Sequence, residues 1–146
     1  MTRNETLFYI LSFTWGLPMT FIGCAVAIVL LALGYRPRRW GYCYFFEVGE
    51  YWGGVNLGPI FIANKNSTEH TRNHELGHAI ENCVFGPMMP FLVSIPSAIR
   101  YWYREWLVRS EQKKYSELPP YDSVWYEGWA TLLGTRLIRW YENNTK

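Results

Sequence analysis

The run Asn73-His74-Glu75-Leu76-Gly77-His78-Ala79 sets two histidines four residues apart. A helix is the conformation that gives this spacing a purpose. Residues i and i+4 lie on one helical face, so both imidazoles can reach a single ion at about 2.1 Å. Zinc suits nitrogen ligands in a tetrahedral site, and a catalytic zinc keeps one position for water, whose pKa falls to about 7. Glu75 projects toward the same ion without ligating it, and is placed to take a proton from that water and pass it to a leaving amine. His74 and His78 are therefore expected to bind Zn2+, with Glu75 as general base. The bland alternative is a solvated helix with stray histidines, yet all three histidines of the chain fall on this segment. His70 lies eight residues from His78, about 12 Å along a helix axis, too far for both to hold one ion. It reads as an exposed first-turn histidine, or else as a donor to a transition-state oxyanion.

A third ligand has to come from elsewhere. Glu127, in Tyr126-Glu127-Gly128-Trp129-Ala130-Thr131-Leu132-Leu133-Gly134, is the best candidate. It starts a helix on which Ala130, Thr131 and Gly134 share its face. Small residues there allow close approach to the metal helix, as Gly77 does from the other side. A carboxylate buried on such a face needs a partner, and a metal supplies one; otherwise Glu127 is a surface residue beside a tight crossing. Glu81 either orients a ligand or faces solvent, Asp122 reads as a helix cap, and Cys83 lies off the metal face. Tyr121 and Tyr126 are available as oxyanion donors.

Working outward, Ser67 or Thr68 caps the metal helix, which runs through Ala79 and stops before Gly86-Pro87. Upstream, Tyr42–Val48 and Val55–Ala63 read as two strands of a hairpin, with Pro59 marking the second as an edge or bulge. Downstream, Cys83 to Ile99 is uncharged and interrupted by Pro87, Pro90 and Pro96. It reads as a core loop, or as a segment dipping into a membrane interface. Ser97 then caps an amphipathic helix with Ile99, Trp102, Tyr103, Trp106 and Leu107 on one face, to pack on the core or lie among lipid headgroups. After a polar loop, Asp122 or Ser123 caps a last helix from Val124 to Tyr141. The expected class is α+β.

From Thr6 to Tyr35 there is no charged residue. That is long enough to cross a bilayer core of about 30 Å, and Pro18 allows either one kinked span or a short interfacial helix (Leu7–Trp15) followed by a short span. A cleaved signal peptide is the rival, but its apolar region is usually only about 7–15 residues. Arg36, Arg38 and Arg39 outweigh Arg3 and the α-amino group, which predicts a cytoplasmic C-terminal side. Composition agrees with lipid contact: charged residues are 18% of the 146, against about 25% in soluble domains. An aromatic share of 18% excludes disorder. A net charge of +2 gives no reason to expect nucleic acid. Cys24, Cys43 and Cys83 form no disulfide framework.

The histidine motif and the later glutamate resemble the gluzincin clan of zinc peptidases. Glu127-Gly-Trp-Ala130-Thr131-Leu-Leu-Gly134 is similar to the Glu-x-x-Ala-Asp-x-x-Gly signature of its membrane-bound prenyl-protein and heat-shock peptidases, departing at Thr131, where those families carry Asp. The run NHELGHAIEN…FGPMMPF…SIPSAIRYWYREW also resembles small bacterial membrane proteins of the same motif order, which carry no known substrate. The resemblance implies zinc bound by His74, His78 and Glu127 with Glu75 as base; joined to the uncharged run, the expected organisation is a membrane anchor over residues 1–35 and a zincin-like peptidase domain over 36–146 acting on peptide or protein. The alternative is a non-enzymatic membrane protein with a structural metal site and an aromatic, Arg-rich interaction helix.

Overall fold

The uncharged N-terminal stretch is broken. In the computed structural model, which describes residues 2–144, it forms α1 (Arg3–Phe13) and α2 (Leu17–Ala32), bent at 92° to each other. Pro18 stands in the first turn of α2, where its missing N–H costs nothing but cannot extend the preceding helix. The single kinked span is thereby replaced by two short helices. Among the described residues no single helix is long and apolar enough to cross a membrane.

Nor does the boundary at residue 35 separate an anchor from a domain in space. Phe8 of α1 joins a core with Tyr42, Phe45, Phe61, Leu76 and Ile138, and buried Glu5 pairs with Arg39. Ala27 and Leu30 of α2 pack on Phe46. Arg38 pairs with Glu47 at 2.8 Å, so two of the three arginines counted for orientation are partnered within the chain.

Four strands follow: β1 (Arg38–Trp40), β2 (Cys43–Glu47), β3 (Gly54–Leu57) and β4 (Ile60–Ala63). Their order in the sheet is β1-β2-β4-β3, with β2 and β4 parallel and the other pairs antiparallel. This corrects the expected two-stranded hairpin. The second run folds back on itself at Gly58-Pro59, where Gly58 takes φ 75°, a left-handed conformation cheap only for glycine. Pro59, unable to donate to a ladder, sits in that turn. Alternation then assigns the faces: Phe45, Phe61 and Ala63 cluster with Leu76 and Ala79, while Phe46, Ile60 and Ile62 meet α2.

Thr68 caps α3 (Glu69–Phe85), its hydroxyl accepting from the Thr71 amide, and Gly86 at φ 53° ends the helix. Residues 86–94 are not a loop. They continue as a 3₁₀ turn and a π-helical turn into α4 (Ile95–Arg109), and α3 and α4 together make a second elbow, of 117°. The missing amide hydrogens of Pro87 and Pro90 leave carbonyls of the preceding turn without α-helical partners, which favours these irregular turns. Ser97 is therefore inside α4 and caps nothing; its hydroxyl lies 3.3 Å from the Tyr121 hydroxyl. The last helix, α5 (Trp125–Asn144), crosses α3 with backbones touching. A Cβ on Gly77 would overlap the Ala130 carbonyl, and one on Gly134 the Asn73 carbonyl.

Candidate metal centre

That close crossing brings three buried side chains together. His74 Nε2 lies 2.9 Å from Glu127 Oε2, His78 Nε2 lies 3.3 Å from the same oxygen, and the two Nε2 atoms are 3.1 Å apart. Tetrahedral bonds of about 2.05 Å require ligand atoms about 3.3 Å apart, so the triangle has the dimensions of one face of a zinc-sized site.

The outer ring nitrogens decide what the inner ones can do. His78 Nδ1 lies 2.7 Å from Glu81 Oε2, and an ionised carboxylate only accepts, so Nδ1 carries the hydrogen. Thr131 donates its one hydroxyl hydrogen to Asp122 Oδ2 at 2.8 Å, so its oxygen accepts from His74 Nδ1 at 2.9 Å. In both neutral rings Nε2 is left with its lone pair. Two lone pairs and a carboxylate oxygen thus converge with no hydrogen among them, an arrangement that calls for a cation. A proton is the smallest that serves: burial lowers the His78 pKa, but hydrogen bonds to Glu127 and Glu81 raise it to about 10. Interaction with the two imidazoles, once they carry such a proton, outweighs burial and lowers Glu127 far below the usual carboxylate range.

The acids around this point are deeply buried. Glu81 and Glu127 are 0% exposed and Glu75 4%. Among the described residues, the ion pairs of Glu81 and Glu127 are with the two imidazoles alone. Among the described residues, Glu75 Oε2 and Glu127 Oε1 are buried with no hydrogen-bond partner, a state that normally costs about 1–3 kcal/mol or more. His74, His78 and Glu127 can hold one metal ion.

Glu75 faces the same space. Burial, more than the opposing pull of His74 and His78, raises its pKa. Gly54 of β3 packs against its carboxyl group, leaving no space there for a side chain. Asn56 accepts from the Gly58 amide and donates to the Glu75 carbonyl at 3.0 Å, tying the edge strand to the metal helix at that residue. Beyond them opens a mostly apolar cavity of about 450 Å³, bordered by Gly53–Asn56, His74, Glu75, His78, Val93, Ala98 and Tyr121. Arg100 holds the Pro120 and Tyr121 carbonyls at 3.1 Å and Arg104 the Pro119 carbonyl at 2.6 Å, so α4 fixes the segment that presents Tyr121 and Asp122. Burial first, then the Glu127 charge, pushes the Tyr121 pKa up, keeping its hydroxyl a donor.

His70 is no ligand; its side chain is 63% exposed and lies 3.6 Å from Asp122. Tyr126 packs instead beside Met19, Met89 and Val93, and Cys83 turns toward Ser12 and the Phe8 carbonyl. Asp122 does not cap α5; it accepts from Thr131. The sequence held no signal for the bonds from Thr131 to Asp122, from Asn56 to the Glu75 carbonyl or from Arg100 to the Pro120 and Tyr121 carbonyls, whose partners lie 9 to 21 residues away. Thr131→Val removes the hydroxyl and keeps the shape. It is expected to weaken metal binding about 10–100-fold with little change in thermal unfolding of the metal-free chain, as a chelator competition titration measures.

Compared with known protein families, curated proteins and solved structures, the chain finds no match.

Proposed function

We propose that this is a membrane-associated zinc metallopeptidase that hydrolyses peptide bonds with Glu75 as general base. One observation carries the reading: His74, His78 and Glu127 converge on one point at the wall of an open cavity, with an unpartnered Glu75 carboxylate oxygen beside it. A zinc ion there supplies Lewis acidity and lowers the pKa of a bound water to about 7. Glu75 accepts a proton from the attacking water and returns it to the departing amine as the carbon–nitrogen bond breaks. Tyr121 offers its hydroxyl to the oxygen of the attacked carbonyl as charge develops there. β3 is an edge strand at the cavity and can pair with an extended substrate backbone, while the apolar cavity receives a side chain.

Thr131 stands where the resembling families carry Asp, and Asp122 supplies the missing carboxylate one hydrogen bond further out. A purely structural metal is less well supported, since structural zinc usually takes four protein ligands and two of these three border open space. The test is hydrolysis of a fluorescence-quenched unfolded polypeptide by the full chain in lipid or detergent. Activity is expected to stop with a chelator and return with zinc. Zinc-loaded protein that leaves such polypeptides intact would overturn the reading.

A further inference from the structure

The two broken helices bend at the same place in space. Trp15, at the turn between α1 and α2, lies across Gly86, at the turn between α3 and α4, and donates its indole hydrogen to the Val84 carbonyl at 3.2 Å. Beside it, buried Asn82 donates to the Gly16 carbonyl at 3.2 Å. Met19 of α2 packs on Met89 and Val93 of the second elbow. One carbonyl at each break thus accepts a hydrogen bond from the opposite elbow, and the two elbows form one nested unit.

The outer surface of that unit is apolar on both contributing segments. On the first, Phe13, Trp15, Leu17, Phe21 and Ile28 are exposed, Phe21 at 71%. On the second, Met88, Phe91 and Leu92 are exposed, Phe91 at 65%, and the stripe continues along α4 through Ile95, Ile99, Trp102 and Trp106. That spacing places α4's share on one helical face. Leu107 is the only buried residue of this fifteen-residue helix.

Charge indicates the occupant. No charged residue occurs in 6–35 or in 83–99, whereas residues 100–114, along and just past α4, carry five basic and two acidic side chains. Tryptophan beside arginine at the margin of an uncharged surface matches the boundary of an anionic lipid leaflet.

We propose that both elbows enter one leaflet of an anionic bilayer together, holding the chain on one side of the membrane with α4 along the headgroups. This rests on the membrane association included in the proposed function, and replaces a spanning anchor by a one-sided one. Because α4 also lines the catalytic cavity through Ser97, Ala98 and Tyr101, substrate then reaches the site from segments lying close to the membrane surface.

The test uses the full chain, an epitope at each end, and preformed vesicles of phosphatidylcholine with or without phosphatidylglycerol. The parent is expected to float with the anionic vesicles, and both epitopes to be removed by protease added outside. Phe91→Glu/Leu92→Glu and Phe21→Glu/Ile28→Glu, one pair on each elbow, are each expected to lower vesicle partitioning by about 100-fold or more. Unchanged metal stoichiometry shows that these variants are folded; if either misfolds, Phe91→Ser or Phe21→Ser takes its place with a smaller loss. Protection of one epitope, or loss of binding from one elbow's variant only, overturns the one-sided nested arrangement while leaving membrane association standing. A parent that never floats overturns both. Elbow variants that turn a dimeric parent monomeric identify a second copy, and not lipid, as the occupant, and also overturn it.

Discussion

Glu75→Gln is expected to cut peptide hydrolysis by about 10²–10⁴-fold and leave zinc stoichiometry unchanged. The substitution is nearly isosteric, which matters because the Glu75 carboxyl group packs closely against Gly54, where there is no space for a side chain. The backbone carbonyl of residue 75 keeps its bond from Asn56, so the tie between edge strand and metal helix survives. What disappears is the ability to accept a proton beside the converging ligand atoms. Neither His74 nor His78 is expected to take over, since each outer ring nitrogen already donates, to Thr131 and Glu81, and each inner one converges with Glu127 on the site that can hold an ion. Initial rates on the quenched polypeptide, with metal content measured on the same samples, check this. Retained activity would mean that another group is the base.

Gly77→Ala has the largest expected effect on the fold. In an ordinary helix interior this change stabilises by up to about 1 kcal/mol. Here the new methyl group would overlap the Ala130 carbonyl oxygen, a backbone atom with no rotamer to escape into. The α3 and α5 helices must then separate, and Glu127 travels with α5. A ligand triangle with sides of 2.9 to 3.3 Å does not tolerate a displacement of even one ångström. We expect a loss of about 3 kcal/mol or more in stability and a Tm that zinc no longer raises, read from thermal unfolding with and without metal. A rise in Tm would show that helix propensity, and not backbone contact, governs this position.

The legible parts of the molecule were those written within a few turns of one helix. His74 and His78 could be placed on one face from spacing alone, with Glu75 beside the first of them, and Glu81 three residues past His78 could be named as one of two possibilities. Glu127 was accessible because Ala130 and Gly134 announce a close crossing, while Gly77 announces the surface it crosses. Short runs were harder. Val55–Ala63 is apolar apart from Asn56, so alternation could not reveal that Gly58-Pro59 folds it into two strands. The parallel pairing of β2 with β4 is a non-local choice with no local pattern. Asp122 looked like a helix cap because that is what an Asp before a helix commonly does; its use by Thr131 depends on where α5 lies relative to α3. The proline-rich segment was misread as a loop because three prolines forbid a straight helix, whereas a 3₁₀ turn, a π turn and a new helical start accommodate all of them.

The central claim is that His74 Nε2, His78 Nε2 and Glu127 Oε2 hold one divalent ion. X-ray absorption at the zinc edge, on the zinc-loaded 146-residue chain at measured stoichiometry, tests it most directly. One zinc per chain is predicted, with two imidazole nitrogens and oxygen ligands at about 2.0–2.1 Å, and with the signal lost in His78→Ala and altered in Glu127→Gln. Substoichiometric zinc, or a spectrum indifferent to both substitutions, would contradict it.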